Sequence, residues 1–244
     1  PGVELLSTFD EKRAEELAQF ADKQNSLRKS LVAQFSGQAA EQLEKDPKLA
    51  QAKVLTIVGQ DWHEGVLGIV ASRLVDKYQR PAIVMTTKKG STQIKGSGRS
   101  VDAFDLFSAI NPIRDDLVGF GGHHSAVGLT LDQDRLTELR QQLAKAAEEQ
   151  QLDLSSKTPL NITGNLNVSQ ATPKLMADLK QLGPFGQDNP LPVFKFNFDQ
   201  VVNVKTMGKN DDHLKLTLKQ KDFTVDAVAF GAGKYAKEIS KADN

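Results

Sequence analysis

From Val3 to Lys45 the chain carries no proline and a single glycine, Gly37. Apolar residues recur through this stretch at Leu17 and Phe20, and again at Leu27, Leu31 and Phe35. That spacing belongs to a helix face, and the run is long for one globular helix. The first part of the chain is therefore expected to be one long helix that bridges or packs across something larger. "EKDPKLAQAK" ends it at Pro47, because proline has no amide hydrogen and clashes with the preceding turn.

Beyond Pro47 the pattern changes. "VLTIVG" (54–59) reads as a short buried strand, 65–78 as a helix and "PAIVMTT" as a second strand. "TQIKGSGRS" reads as a strand ending in a glycine turn, "DAFDLFSAI" as a short helix starting at Asp102, and "SAVGLTL" as a strand. "DQDRLTELRQQLAKAAEEQ" is an amphipathic helix with acidic residues in its first turn. The order β-α-β-β-α-β-α implies an α/β domain with a mixed sheet. "LDLSSKTPL" (152–160) reads as a linker. After it come short strands at "LNITGNLN", "PVFKFNFDQVVNVKTMG", "HLKLTLKQ" and "FTVDAVAFG", with a helix at "TPKLMADLKQL". Several short strands with one inserted helix suit a small Greek-key barrel of the OB kind. Phe194, Phe196 and Phe198 alternate with Lys195 and Asn197, and three rings on one face suit barrel core more often than a base-stacking platform. The tail after Phe230, "GAGKYAKEISKADN", looks helical. The fold class expected is α/β, with a helix over 1–50, a mixed-sheet domain over 51–152 and a mostly β, OB-like domain over 153–244.

Charge enters where function is asked. The 31 basic and 31 acidic residues cancel, which taken alone speaks against a nucleic-acid binder. The cancellation is not uniform. Between Arg73 and Arg99 seven basic residues face one acidic residue, Asp76, and between Lys195 and Lys221 six lysines face Asp199, Asp211 and Asp212. Two basic stretches suit a protein that holds phosphates on one face, and equally a solvated lysine surface. Cysteine is absent, which excludes disulfides and thiolate metal sites and fits a reducing cytoplasm. No apolar run approaches the roughly 18 residues of a membrane span, so no membrane partner is expected.

Three motifs carry chemistry. In "GFGGHH" the pair Gly121 and Gly122 frees the backbone to turn or to approach a ligand, and His123 follows as a donor or proton-transfer group. No carboxylate lies within five positions of His123 or His124, so a complete local metal site is not expected. A tight turn with a capping histidine would use the same residues. In "IKGSGRS" a turn at Ser97, Gly98 and Arg99 would present N–H groups, a hydroxyl and a guanidinium to an anion. A plain hairpin turn would look the same. In "QDWHEGVLGIVASRL" His63, Gly65 and Gly68 precede or open a helix, whose free N–H groups attract anions. For Gly68 close helix packing is the simpler account, and Trp62 reads as a buried ring. His213 reads as a hairpin residue at the mouth of a strand. The chain shows no Asp/His metal cluster, no Walker loop and no G-x-S-x-G elbow.

"WHEGVLGIVASRL", "KGSGRS" and "FGGHHSAVG" in that order, followed by "LGPFGQDNPLPVF", resemble the RecJ family of single-strand-specific 5′ to 3′ exonucleases of the DHH superfamily. The first three resemble its DHH-associated domain and the last its OB-fold domain, while residues 3–45 look like the long helix connecting the family's two catalytic domains. The resemblance implies that His123 reaches the scissile phosphate region, that Ser97 and Arg99, with Gly98 between them, grip the 5′ phosphate, and that Gly121, Gly122 and His63 line the same cleft. His124 has no assigned task. It further implies Mn²⁺ or Mg²⁺ held by an N-terminal DHH domain not found in this sequence, so that the chain alone binds no metal and is inactive. The partners implied are single-stranded DNA with a 5′ end, that DHH domain and a single-strand-binding protein, in the cytoplasm, in DNA repair and recombination. Two other readings use the same motifs: an oligoribonuclease or nucleotide phosphatase of the superfamily, and a non-catalytic nucleic-acid-binding module.

Overall fold

The computed structural model describes residues 1–155, 160–186 and 188–242. These form two compact units, residues 1–157 and 158–244. Residues 156–159 of the expected linker, Gln187 of "LGPFGQDNPLPVF" and the last two residues of the tail lie outside the described residues.

The first unit opens with α1 (Gly2–Ser7) and α2 (Glu11–Lys45). The expected single helix is thus interrupted at Thr8–Asp10. Asp10 accepts a hydrogen bond from the Arg13 N–H at 3.1 Å, and this N-cap starts a new helix rather than continuing the old one. At the other end Asp46 caps α3 (Pro47–Gln51), with Pro47 in its first turn. Of the apolar positions read as one face, Leu17 and Phe35 are buried, whereas Phe20 and Leu27 are about half exposed. Val32, Phe35, Ala39 and Leu43 fasten the C-terminal half of α2 to the sheet side of the unit.

Strand β1 (Leu55–Gln60), helix α4 (Leu67–Tyr78) and strand β2 (Ala82–Thr87) follow. Then come β3 (Gln93–Arg99), α5 (Leu106–Ile110), β4 (Gly119–His123), β5 (Ala126–Asp132) and α6 (Leu136–Glu149). The sheet is mixed, as expected, in the order β1-β2-β3-β5-β4. Only β1 and β2 are parallel, which requires a crossover connection, supplied by α4. Apolar side chains fill both faces. Leu55, Ile57, Ala82 and Val84 meet α2, α4 and Trp62, while Ile83, Met85, Ile94, Val127, Leu129 and Leu131 meet α5 and α6.

Three expectations change here. Helix α5 starts after Asp105, not Asp102, because Asp105 accepts the Ser108 N–H at 2.9 Å. "GFGGH" is a strand of its own, at the sheet edge. And the "KGSGR" segment is not a turn: β3 runs straight through it, paired with β2 on one side and β5 on the other. The glycines serve packing instead. A Cβ on Gly96 would stand 2.6 Å from Met85 Cγ, and one on Gly98 would stand 2.7 Å from both Leu106 Cδ2 and Val127 Cγ2.

The second unit contains β6 (Gly164–Asn167), α7 (Pro173–Lys180), β7 (Phe194–Asn197), β8 (Gln200–Met207), β9 (His213–Gln220), β10 (Phe223–Ala229) and α8 (Ala236–Ala242). It is mostly β and OB-like, with the described strands in an antiparallel sheet β10-β9-β8 and a parallel pair β6-β7. Val168, Leu214 and Leu218 are its most buried apolar residues. Phe194 and Phe196 are half-buried, but Phe198 lies past the end of β7 and is 45% exposed, so the three rings do not form one buried row. His213 does open a strand, its Nδ1 accepting the Gly231 N–H at 3.1 Å. No described helix is long and apolar enough to cross a membrane.

Candidate functional site

Side chains alternate across a strand, and directly paired residues share a face of the sheet. On β3, Lys95, Ser97 and Arg99 therefore share the face that α4 covers, and Gly98 belongs to the opposite, buried face. Register extends that face outward. Arg99 pairs with Ala126 and Ala126 with His123; Ser97 pairs with Gly128 and Gly128 with Gly121; Lys95 pairs with Thr130 and Thr130 with Gly119. Three rows of three thus cross β3, β5 and β4. With neighbouring strands about 4.8 Å apart, Arg99 and His123 stand about 10 Å from one another at the two ends of their row.

The middle of this face is bare. Gly119, Gly121 and Gly128 are exposed, and a Cβ on Gly121 or Gly128 would meet nothing within 4 Å. The resulting groove, about 520 Å³, is lined by Glu64, Lys95, Ser97, Phe120, Gly121 and Gly128 among others. Gly122 has a different task. Its φ is +146°, and a Cβ there would overlap the Ala126 carbonyl oxygen at 2.3 Å, so glycine is required for the two-residue hairpin that turns at His124 and Ser125.

The adjacent histidines part company at this hairpin. His123 ends β4 and is exposed, and its Nδ1 accepts the Ser125 N–H at 3.4 Å. In the neutral ring this arrangement leaves the proton on Nε2 as an outward donor. His124 sits in the turn, where its carbonyl accepts the Leu106 N–H at 3.0 Å and its Nδ1 lies 3.3 Å from Ser125 Oγ. It ties the hairpin to α5.

Arg99 is half-buried beside α4, and Gly68 makes room for it: a Cβ there would stand 2.7 Å from Arg99 Nη2 and 3.1 Å from Ser97 Oγ. Close helix packing is thus the reason for this glycine. Arg99 Nη1 donates to Ser97 Oγ at 3.2 Å and to the Gly98 carbonyl at 2.7 Å. These bonds stay within one strand, and no described carboxylate pairs with the guanidinium. A half-buried cation held beside a hydroxyl, without an internal counter-charge, is suited to an external anion. Lys95 differs, because its Nζ lies 3.1 Å from Glu64 Oε2, and Lys88 approaches the other oxygen of that carboxylate at 3.3 Å. Hydrogen bonding from Lys95, then from Lys88, holds the Glu64 carboxyl below its usual range against the opposing effect of burial.

His63 stands next to this groove rather than in it. It precedes a short 3-10 turn, its Nδ1 accepts the Gly65 N–H at 3.1 Å, and it lines a neighbouring hollow with Asp61, Trp62, Glu64, Lys88 and Lys89. Trp62 is buried, its ring stacked on Phe35 at 4.9 Å. Lys95, Gly119, Gly128 and Thr130 are groove residues that motif reading passed over. Strand alternation applied to 95–99 and 126–130 would have found them, once "KGSGR" was read as strand. Among the described residues no group of three or more His, Asp or Glu could hold a metal ion.

In the second unit, the open face of the β10-β9-β8 sheet pairs Lys205 with Lys215 directly, with Lys219 further along β9. Like charges opposite one another are unfavourable in a sheet. Lys215 is relieved by Asp226, 2.8 Å away.

Comparison with known proteins agrees with this division. Residues 46–149 match the DHHA1 domain, and residues 162–244 match the RecJ OB domain. The chain is 34% identical over 239 residues to the single-stranded-DNA-specific exonuclease RecJ of Bacillus subtilis, covering 98% of this chain and 30% of that protein. The crystal structure of RecJ from Thermus thermophilus in complex with Mg²⁺ superposes with a TM-score of 0.68 at 25% identity, over 93% of this chain and 34% of that one. Its Mn²⁺ complex gives the same TM-score over 91% and 31%. The chain thus spans about a third of the length of these relatives. With a DHHA1 domain followed by a RecJ OB domain, on a chain that aligns with RecJ along nearly all of its residues, this chain belongs to the RecJ family.

Proposed function

We propose that this chain is the substrate-positioning part of a single-strand-specific 5′ to 3′ DNA exonuclease. The observation that carries the reading is that Arg99, Ser97 and His123 share one face of the sheet, Arg99 and His123 at the ends of one row and Ser97 in the next, beside an exposed glycine floor. Arg99 and Ser97 grip the 5′-terminal phosphate through guanidinium and hydroxyl. His123 offers its Nε2 proton to the scissile phosphate region, where a fixed donor offsets charge that develops in the transition state. Gly121 and Gly128 let the strand lie against the backbone, Gly122 shapes the hairpin that presents His123, and Gly98 supports the row from the core side. His63 flanks the entrance.

In the whole enzyme Mn²⁺ or Mg²⁺ would supply the activation of water, with its ligands in a DHH domain outside the residues described. Residues 1–50, chiefly α2, serve as the helical connection from that domain to this one. The OB-like unit holds the single strand on its lysine-bearing face, where Lys205 and Lys215 share a cross-strand pair. The cysteine-free chain fits the reducing cytoplasm. A single-strand-binding protein is the protein partner implied, because it shares the ligand.

The test is exonuclease activity on a 5′-phosphorylated single strand with Mn²⁺, comparing this chain alone with the chain joined to a DHH domain. Activity only in the joined form is expected, lowered at least tenfold by Arg99→Ala or His123→Ala. No activity in the joined form, with both parts folded, would overturn the reading.

A further inference from the structure

The exonuclease reading puts two phosphates at the ends of one row, the 5′-terminal one at Arg99 and the scissile one at His123. The groove lies beside that row. It runs over Ser97, Gly128 and Gly121 and on to Lys95, Thr130 and Gly119. We propose that this groove seats the sugar and base of the 5′-terminal nucleotide, the base flat on the bare peptides of Gly121 and Gly128 and its edge toward Lys95, Glu64 and Thr130. The inference rests on the exonuclease reading above and deepens it, since the nucleotide seated here is the one that cleavage releases.

Position, floor and charge each point to this occupant. The nucleoside between a 5′ phosphate and the next phosphate is the 5′-terminal one, so it lies beside the row that joins Arg99 to His123. On one side of that row the sheet stops, with β3 ending at Arg99 and the hairpin turning at His124 and Ser125. On the other side the face continues for two more rows, about 14 Å from the first row to the last. The base therefore turns toward the groove.

The floor there is flat. Gly121 and Gly128 are directly paired on adjacent strands, both are exposed, and a Cβ on either would meet nothing within 4 Å. Glycine inside a strand forgoes side-chain packing and marks a place where a ligand or another backbone comes close. Two such residues side by side leave a patch of bare peptide, over which a planar ring makes dispersion contacts with its whole face. Buried Leu67, the first residue of α4, borders the same groove.

Charge separates the two ends. No described carboxylate pairs with Arg99, whereas Lys95 is matched by Glu64 at 3.1 Å. The uncompensated cation takes the phosphate, and the compensated end takes the uncharged part of the nucleotide. An ammonium beside a carboxylate offers a donor next to an acceptor. The Watson–Crick edge of each base carries both kinds of group, so all four bases find a partner. That tolerance suits an exonuclease, which meets every base in turn.

Fluorescence anisotropy of this chain with 5′-phosphorylated oligothymidylates of one length, in low salt, tests the inference. One strand is intact, one carries an abasic tetrahydrofuran residue as its 5′-terminal nucleotide, and one carries it as the second nucleotide. Loss of the terminal base is expected to weaken binding about tenfold, on the order of one stacked base, and loss of the second base far less. Terminal adenine, cytosine or guanine should bind as thymine does. Gly128→Val, which fills the floor with a side chain suited to a strand, should remove the difference between the intact and terminally abasic strands. It should keep the preference for a 5′ phosphate over a 5′ hydroxyl, which Arg99→Ala should abolish. The inference is overturned if the terminally abasic strand binds the parent as tightly as the intact one, or if Gly128→Val weakens both equally. If the parent shows no 5′-phosphate preference, or Arg99→Ala leaves it unchanged, the underlying reading fails instead. Circular dichroism melts identify unfolding, and Gly121→Ala, a smaller filling of the same floor, provides a second measure of that difference.

Discussion

Two glycines of neighbouring motifs do opposite jobs, and single alanines separate them. At Gly98 a methyl group meets Leu106, Val127 and, at 3.3 Å, Ile83, so Gly98→Ala should cost about 1–3 kcal/mol of stability through overpacking. At Gly121 the same methyl meets no protein atom, so Gly121→Ala should stay within about 0.5 kcal/mol of the parent in a denaturant titration. It should nevertheless weaken single-strand binding severalfold, because it fills the floor of the groove. Equal destabilisation by both variants would remove the distinction. Asp105 supplies a pH-dependent contribution. Burial raises its pKa, but hydrogen bonds from the Ser108 N–H and hydroxyl, with the nearby charge of His124, outweigh that and hold the carboxyl below its usual range. A depressed carboxylate stabilises the fold above its unfolded pKa and ceases to do so as pH falls through the folded value. Asp105→Ala should therefore lose about 1 kcal/mol at neutral pH. The gap in melting temperature should close as pH drops below about 4.

At the scale of elements, the sheet has two edges that are treated differently. Strand β1 is closed by side chains. Gln42 of α2 donates to the Val58 carbonyl at 3.0 Å, and Arg140 of α6 donates to Thr56 Oγ1 at 2.9 Å and to the Thr56 carbonyl at 3.4 Å. Burial, opposed only by the charge of Asp46, lowers the pKa of that guanidinium, so its place depends on those acceptors. Arg140→Ala leaves buried Thr56 without its donor and should destabilise the first unit by about 1–3 kcal/mol, read from a urea titration. Among the described residues strand β4 has no such cover. The element order was largely legible, since apolar β-branched runs and helical spacing announce themselves. β4 was not, because "GFGGH" has neither. Nor was the course of "KGSGR". Glycines mark turns by composition, and here they are required by Met85, Leu106 and Val127, side chains distant in sequence.

For the whole molecule, net charge is zero, so attraction of a polyanion depends on local clusters rather than on a long-range field. With Arg99 as a phosphate contact in the first unit, and lysines on the open face of the second, binding should weaken with salt at about −0.7 in log–log slope for each phosphate engaged. Arg99→Ala should reduce the slope by about that amount, whereas Arg73→Ala, on the exposed side of α4, should leave it unchanged. A slope indifferent to Arg99 would indicate that the first unit does not carry the strand.

The linear order of residues was sufficient for the mixed α/β class, the helix ending at Pro47, the OB-like second unit and the three motifs that resemble RecJ. Each of these depends on local periodicity, on a cap or breaker, or on a contiguous string. Which motif residues share a face was decided only by tertiary structure. Strand order and register place Arg99, Ala126 and His123 in one row and send Gly98 to the core. They also bring Glu64 to Lys95 from a separate segment. Register depends on how distant apolar side chains pack, and no window of sequence contains that information.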